Sequence, residues 1–270
     1  MNGTHTGQWR PRILGVITLS GLLLGAAILV HAEHLSPPPE SRLLQTFVDA
    51  GRAYDEGKLA EATTLYEDLI KQGFQNKEVL YNLGNALFRQ GLVGKAVLAY
   101  RQAWYYSPRD PDILANLKFA LQSTGATYPL PGRVTQLWVM LNRAEWISVA
   151  TVTYWILFAA AGSLLLSSRL RPWATHILVP LLLLLSISLS GIGYWWMLHR
   201  TPEVVVLADH QEALFAPLEG STAYFALPQG SIARRVDRSG PWIKVALGKK
   251  TGWLKESACE EVWPLRPTGI

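Results

Sequence analysis

The chain has 270 residues, a formal net charge of +5 and an apolar share of 49%, and long uncharged runs divide it, so no soluble stretch is left for one large core. Lys and Arg are scattered and no basic block interleaves with aromatics, which argues against nucleic acid as a partner. Cys259 is the sole cysteine, excluding an internal disulfide, a thiolate metal cluster and a paired redox motif.

In chain order, Arg10 and Arg12 precede eighteen uncharged residues, Ile13 to Val30, and Val30-His31-Ala32 has the small-residue character of a signal-peptidase site. Residues 1–32 read as a signal peptide or an uncleaved signal anchor, and either places the next segment of the chain outside the cytoplasm. Pro37-Pro38-Pro39 lacks amide donors and reads as a stiff spacer.

From 43 to 123 the sequence repeats. Gly57 and Gly91, Ala62 and Ala96, Tyr66 and Tyr100, Asn82 and Asn116, and Leu83 and Leu117 are each thirty-four residues apart. That period, with Gly84 and Ala96 small enough for close helix approach and Leu83, Leu87 and Tyr100 filling the gaps, resembles the tetratricopeptide repeat. The unit from Lys77 to Asp110 is the best formed. The preceding one is a residue shorter between Gly51 and Gly57, which predicts an altered turn, and Ile113 to Gln122 supplies a capping helix. The resemblance implies that Tyr81, Asn85, Phe88 and Arg89 face a peptide-binding groove. Packing of Phe88 between helices, and satisfaction of turn backbone by Asn82 and Asn116, are the alternative roles.

A linker and juxtamembrane segment, 124–146, carries Val134, Leu137, Trp138, Leu141 and Trp146 on one helical face. Residues 147–166 and 174–198 are uncharged runs long enough to cross a bilayer, and the short turn between them, with Arg169 and Arg171, predicts a transmembrane hairpin whose turn is cytoplasmic. Trp146, Trp173, Trp195 and Trp196 fit interfacial aromatic belts. Ala159 with Ser163, and Ser186 with Ser190, are spaced for close packing of the two spans.

From 204 to 265 short β-like stretches alternate with turns. Leu227-Pro228-Gln229-Gly230, Ser239-Gly240-Pro241-Trp242 and Thr251-Gly252-Trp253-Leu254 resemble, in that order, the bacterial SH3-like family, implying a small all-β barrel. Alternation along Trp242-Ile243-Lys244-Val245 places Ile243 and Val245 in the core and Trp242 outside with Lys244, making Trp242 a candidate protein-binding residue, while Trp253 is expected to pack inward. Cys259 is expected to be a small buried apolar residue.

The expected architecture is thus a multidomain membrane protein: an α-helical tetratricopeptide array, a transmembrane helix hairpin and a small all-β SH3-like barrel. This combination resembles the Bat aerotolerance family, in particular its BatE-like type, across nearly the full chain. The resemblance implies a membrane-anchored protein-protein interaction scaffold in the bacterial inner membrane, with repeats and barrel on the periplasmic side. Its implied partners are von Willebrand A-type Bat membrane proteins and a MoxR-type ATPase, in stress or oxygen tolerance. The alternative is an independent cell-wall or peptide-binding sensor, for which a cell-wall glycan is the candidate ligand. The six histidines have no metal-ligand spacing, and there is no phosphate loop or nucleophile elbow, so no catalytic, cofactor-binding or metal residue is expected and the chain does not read as an enzyme.

Overall fold

The structure is a computed structural model describing residues 40–126, 133–166, 171–200 and 202–262. The chain divides into two compact units, Met1–Leu44 and Gln45–Ile270, and of the first only the start of a helix at residues 40–44 is described. The expected export segment, the expected Pro37-Pro38-Pro39 spacer, part of the linker, Arg169 and residues 263–265 of the expected barrel lie outside the described residues.

Five helices come first: α1 (Glu40–Asp55), α2 (Leu59–Lys71), α3 (Lys77–Arg89), α4 (Val93–Tyr106) and α5 (Pro111–Ser123). Their ends obey the thirty-four-residue period more closely than their faces do. Asn76 caps α3 by accepting the Val79 amide at 2.9 Å, and one period on Asp110 caps α5 by accepting the Asp112 amide at 3.1 Å, with Pro111 at the first helical position. Gly57, Gly91 and Gly125 end α1, α3 and α5 with φ of 77°, 78° and 74°, which suits a residue without Cβ. Each closes the same pair of bonds: Gly57 to Tyr54 and Lys58 to Ala53, Gly91 to Phe88 and Leu92 to Leu87, Gly125 to Gln122 and Ala126 to Leu121. The turn after α1 is therefore not altered as expected. No residue is missing there: the position one period before Gly84 is Ala50, fully buried, and α1 runs on through Gly51 as regular helix. A Cβ on Gly84 would come within 2.5 Å of the Tyr100 ring, so the close approach expected there is real.

The linker does not continue as one helical face. A short α6 (Arg133–Trp138) stops, and Asn142 starts the next helix with a reciprocal cap, accepting the Glu145 amide at 2.9 Å while Glu145 accepts the Asn142 amide at 2.8 Å. The helices α7 (Arg143–Leu166) and α8 (Arg171–Arg200) are each long and apolar enough to cross a membrane, over Arg143–Ser163 and His176–Leu198. They pack through residues other than those expected. Trp146, Ala150 and Thr153 on α7 and Ser188, Gly191 and Trp195 on α8 are the buried positions, and a Cβ on Gly191 would meet the Trp146 ring at 2.5 Å. Ser186 and Ser190 are exposed and spend their hydroxyls on the Leu182 and Ile187 carbonyls of their own helix. Trp146 and Trp195 consequently belong to the core of the hairpin instead of an aromatic belt, their indoles donating to the Trp138 and Leu141 carbonyls at 2.9 and 3.0 Å. Trp196 alone of the described pair on α8 faces outward, at 56% exposure.

The C-terminal part is an antiparallel seven-stranded sheet: β1 (Glu203–Val206), β2 (Gln211–Leu214), β3 (Ala223–Leu227), β4 (Ile232–Ser239), β5 (Trp242–Leu247), β6 (Lys250–Lys255) and β7 (Cys259–Glu261), ordered β3-β2-β6-β5-β4-β1-β7. Val204, Val206, Ala213, Leu227, Ala233, Ile243, Val245 and Leu254 form one core, so strands from both ends of that order curl toward each other. Ile243 and Val245 are core residues as expected, but Trp242, outside that core, is not open as expected: it is covered to 7% exposure, while Trp253 is only half-buried. The strand buries Trp242 and Ile243 in succession, so period-two alternation fails at its start.

Candidate functional site

The face presented by the first helices of successive hairpins carries the residues singled out from the repeat. Asn85 on α3 is its hub: Oδ1 accepts the Tyr100 hydroxyl at 2.8 Å and the Asn116 amide at 2.9 Å, and the same amide donates to the Tyr81 hydroxyl at 3.0 Å. Burial, then the neighbouring Tyr81, pushes the Tyr100 hydroxyl well above its ordinary pKa, which keeps it a donor to Asn85. Tyr81 and Asn85 are thus half-buried members of a network that fixes α3 against α4 and α5. Asn116 satisfies side chains across helices, not turn backbone.

Phe88 and Arg89 continue the strip. Phe88 packs on Phe119 of α5 with ring centroids 5.5 Å apart, and Phe119 is 61% exposed. Arg89 is exposed, with its guanidinium 4.6 Å over the Tyr54 ring and Nη1 donating to the Tyr54 carbonyl at 3.3 Å. Sequence reasoning missed Tyr54 and Phe119. The period itself pointed to them, since Tyr54 lies thirty-four residues before Phe88, and Phe119 thirty-four after Asn85. The result is a strip offering an exposed cation, the open face of Phe119 and the half-buried Phe88 and Asn85, held by hydrogen bonds beneath.

Trp242 lies in the sheet and takes no part in this strip; Lys255 Nζ stands 5.7 Å from its ring. The open aromatic pair of the sheet is Phe215 with Tyr224, stacked at 4.5 Å and 61% and 46% exposed.

A second concavity of about 730 Å³ lies between α2, α3 and α4 and the sheet, lined by Glu67, Lys71, Lys95, Gln102, Arg235 and Glu260 among others. Its charges largely answer one another: Arg235 pairs with Glu261 and Arg238 with Glu256. Burial raises the Glu260 carboxyl above its ordinary value despite Lys95 nearby. Burial also pushes the Cys259 thiol up to about 12, so it stands protonated and is a poor nucleophile. Among the described residues no group of His, Cys, Asp and Glu could hold a metal ion.

The back of the array is occupied. Arg101 on α4 grips Glu203 of β1 with both ends of its guanidinium, Nε to Oε2 at 2.8 Å and Nη2 to Oε1 at 2.9 Å, and Tyr105 donates its hydroxyl to the same carboxylate at 3.3 Å. Gln102 donates to the Val262 carbonyl, and a Cβ on Gly94 would strike the Leu207 backbone at 2.9 Å. The strip on the first helices is therefore the part of the array that the sheet leaves free. Compared with known proteins, the chain matches no family model, no curated protein and no solved structure.

Proposed function

We propose that this chain is a membrane-anchored, non-catalytic interaction protein. In this reading the helical array is of the tetratricopeptide type and the sheet is an SH3-like barrel. The common period of caps and left-handed glycines supports the first assignment, and the curled antiparallel sheet supports the second. The observation that carries the function is the strip of exposed Arg89 and Phe119 with half-buried Phe88 between them, held in place by the Tyr81, Asn85, Asn116 and Tyr100 network. Such a strip suits an extended peptide, with Arg89 taking a carboxylate and the aromatic faces taking apolar side chains. Following the resemblance to the BatE-like type, the partners are von Willebrand A-type Bat membrane proteins and a MoxR-type ATPase. Their setting is the bacterial inner membrane, with array and sheet on the periplasmic side, in stress or oxygen tolerance.

Affinity purification of the full chain from detergent-solubilised envelopes tests this. Wild type should bring down a von Willebrand A-type membrane protein, and Arg89→Ala with Phe119→Ala should lower its recovery about tenfold or more, as loss of an arginine and an aromatic anchor does. Undiminished recovery would remove the strip as the binding face, and recovery of no such protein by wild type would remove the Bat assignment. The open Phe215 and Tyr224 pair favours the second reading, a cell-wall or peptide-binding sensor, in which purified peptidoglycan retains the chain without any Bat partner.

A further inference from the structure

The apolar span of α8 ends at Leu198, and β1 begins at Glu203. In between, the Arg235 amide donates to the Pro202 carbonyl at 2.8 Å, and Arg234 stands opposite Glu203 in the β1–β4 register. The arginine-bearing strand is therefore tied to the chain four residues beyond the span, a reach of about 14 Å at most. Headgroups flank a bilayer's hydrocarbon by roughly 5 to 8 Å on each face, and an arginine side chain adds its own length. Arg200, Arg234, Arg235 and Arg238, with Pro202, Val236 and Asp237, line an open recess of about 460 Å³ at this place.

The charges in that recess are unevenly answered. Arg235 pairs with Glu261, Arg238 pairs with Glu256 at 2.7 Å, and Asp237 accepts the Arg238 amide at 2.8 Å. Glu203, the cross-strand neighbour of Arg234, has both oxygens bonded by Arg101. Among the described residues Arg200 and Arg234 have no carboxylate within ion-pair distance, and both are exposed. The Arg200 guanidinium lies 4.0 Å over the Trp196 ring, the outward indole of α8, and Val236 adds an apolar surface that is 53% exposed. Two guanidinium groups without a described carboxylate partner and a valine thus line one recess, and an indole of the apolar span stacks on one of them.

We propose that Arg200 and Arg234, with Trp196 and Val236, form a site for the headgroup of an anionic phospholipid at the bilayer edge. The proposal rests on the reading of α7 and α8 as membrane spans. Guanidinium groups present planar pairs of donors that match phosphate oxygens. Trp196 and Val236 suit the glycerol and upper acyl region, where indoles concentrate. A free phosphate would gain nothing from these apolar neighbours.

The test uses the full chain in nanodiscs of phosphatidylcholine with or without phosphatidylglycerol, followed by native mass spectrometry of the lipids that stay bound. Wild type should retain phosphatidylglycerol in preference to phosphatidylcholine. Arg200→Gln with Arg234→Gln should bind it about thirtyfold more weakly, from the usual contribution of two surface arginines at an anionic membrane. The same change at Arg52, on α1, should have no effect. Arg200→Lys with Arg234→Lys keeps the charge but loses the planar donors, and should fall between, which guards against a glutamine pair that melts early. Equal retention of both lipids, or no loss in either double variant, overturns the proposal. Displacement of the lipid by dissolved glycerol phosphate overturns it in favour of a free-anion site. If the chain fails to enter the discs at all, the membrane reading falls, and that outcome is visible before any lipid is counted.

Discussion

Trp242 and Trp253 stand in neighbouring strands, and their burial decides what each does. Trp242 is 7% exposed, whereas Trp253 is half-buried beside Lys244, whose Nζ is 5.8 Å from its ring. Truncating the buried indole removes its contacts and leaves a void, so Trp242→Ala should lower stability by about 3 to 5 kcal/mol. Trp253→Ala should cost roughly 1 to 2 kcal/mol, because part of its ring already meets water. Denaturant unfolding of the two variants in the full chain checks the order, and a larger loss for Trp253→Ala would reverse the assignment. Alternation along β5 suggests the opposite order, because it presumes one wet face along the whole strand. That premise holds at Ile243, Lys244 and Val245 and fails at Trp242. Tyr81, Asn85, Phe88 and Arg89 lie along one strip, but which groups are spent on each other depends on Asn116 and Tyr100, on other helices.

At the scale of elements, α4 joins the separate parts of the second unit. It is buried nearly throughout from Gly94 to Tyr105, including Arg101 and Gln102, because the other array helices, the sheet and the end of α8 all pack on it. Trp104 and Tyr105 each lie 5.9 Å from the ring of Trp195, and Arg101 stacks 4.1 Å over Trp104 while holding Glu203. Arg101→Ala would leave the Glu203 carboxylate with little compensation, and should destabilise by about 3 to 5 kcal/mol. Arg101→Met combined with Glu203→Leu should cost much less, since an apolar pair needs no hydrogen bonds. Equilibrium unfolding of the single and double variants would show it, and equal losses would mean that the ion pair itself carries the stability. None of this was legible in the sequence. The partners are 102 residues apart, and a charged residue on a helix looks like a solvated one until a strand lands on it. The turn glycines were legible because they act within a few residues of themselves and recur at the repeat period.

For the whole molecule the telling fact is where the two long apolar helices touch the array. Arg109 pairs with Glu145 at 2.6 Å, and Asn142 donates to the Tyr106 carbonyl at 3.4 Å, at the start of α7. Trp104 and Tyr105 meet Trp195 near the end of α8. Both outer ends of the hairpin therefore sit against the array, so residues between α7 and α8 must face the opposite side of any membrane the pair spans. Apolar length and the few residues between the two runs made the hairpin legible; the aromatic contacts that hold it to the array were not, since Trp146 and Trp195 have the composition of belt residues. In a Cys259→Ala background, Glu219→Cys on the exposed β2–β3 connection should react with an impermeant thiol reagent in intact spheroplasts. Leu170→Cys should react only after the membrane is opened. The native thiol, half-buried and with its pKa pushed up by desolvation, should add little background even where it is retained. Labelling of position 170 but not 219 in intact spheroplasts would invert the orientation. Labelling of both would mean that the two helices do not cross together, and the array and sheet would then need another anchor.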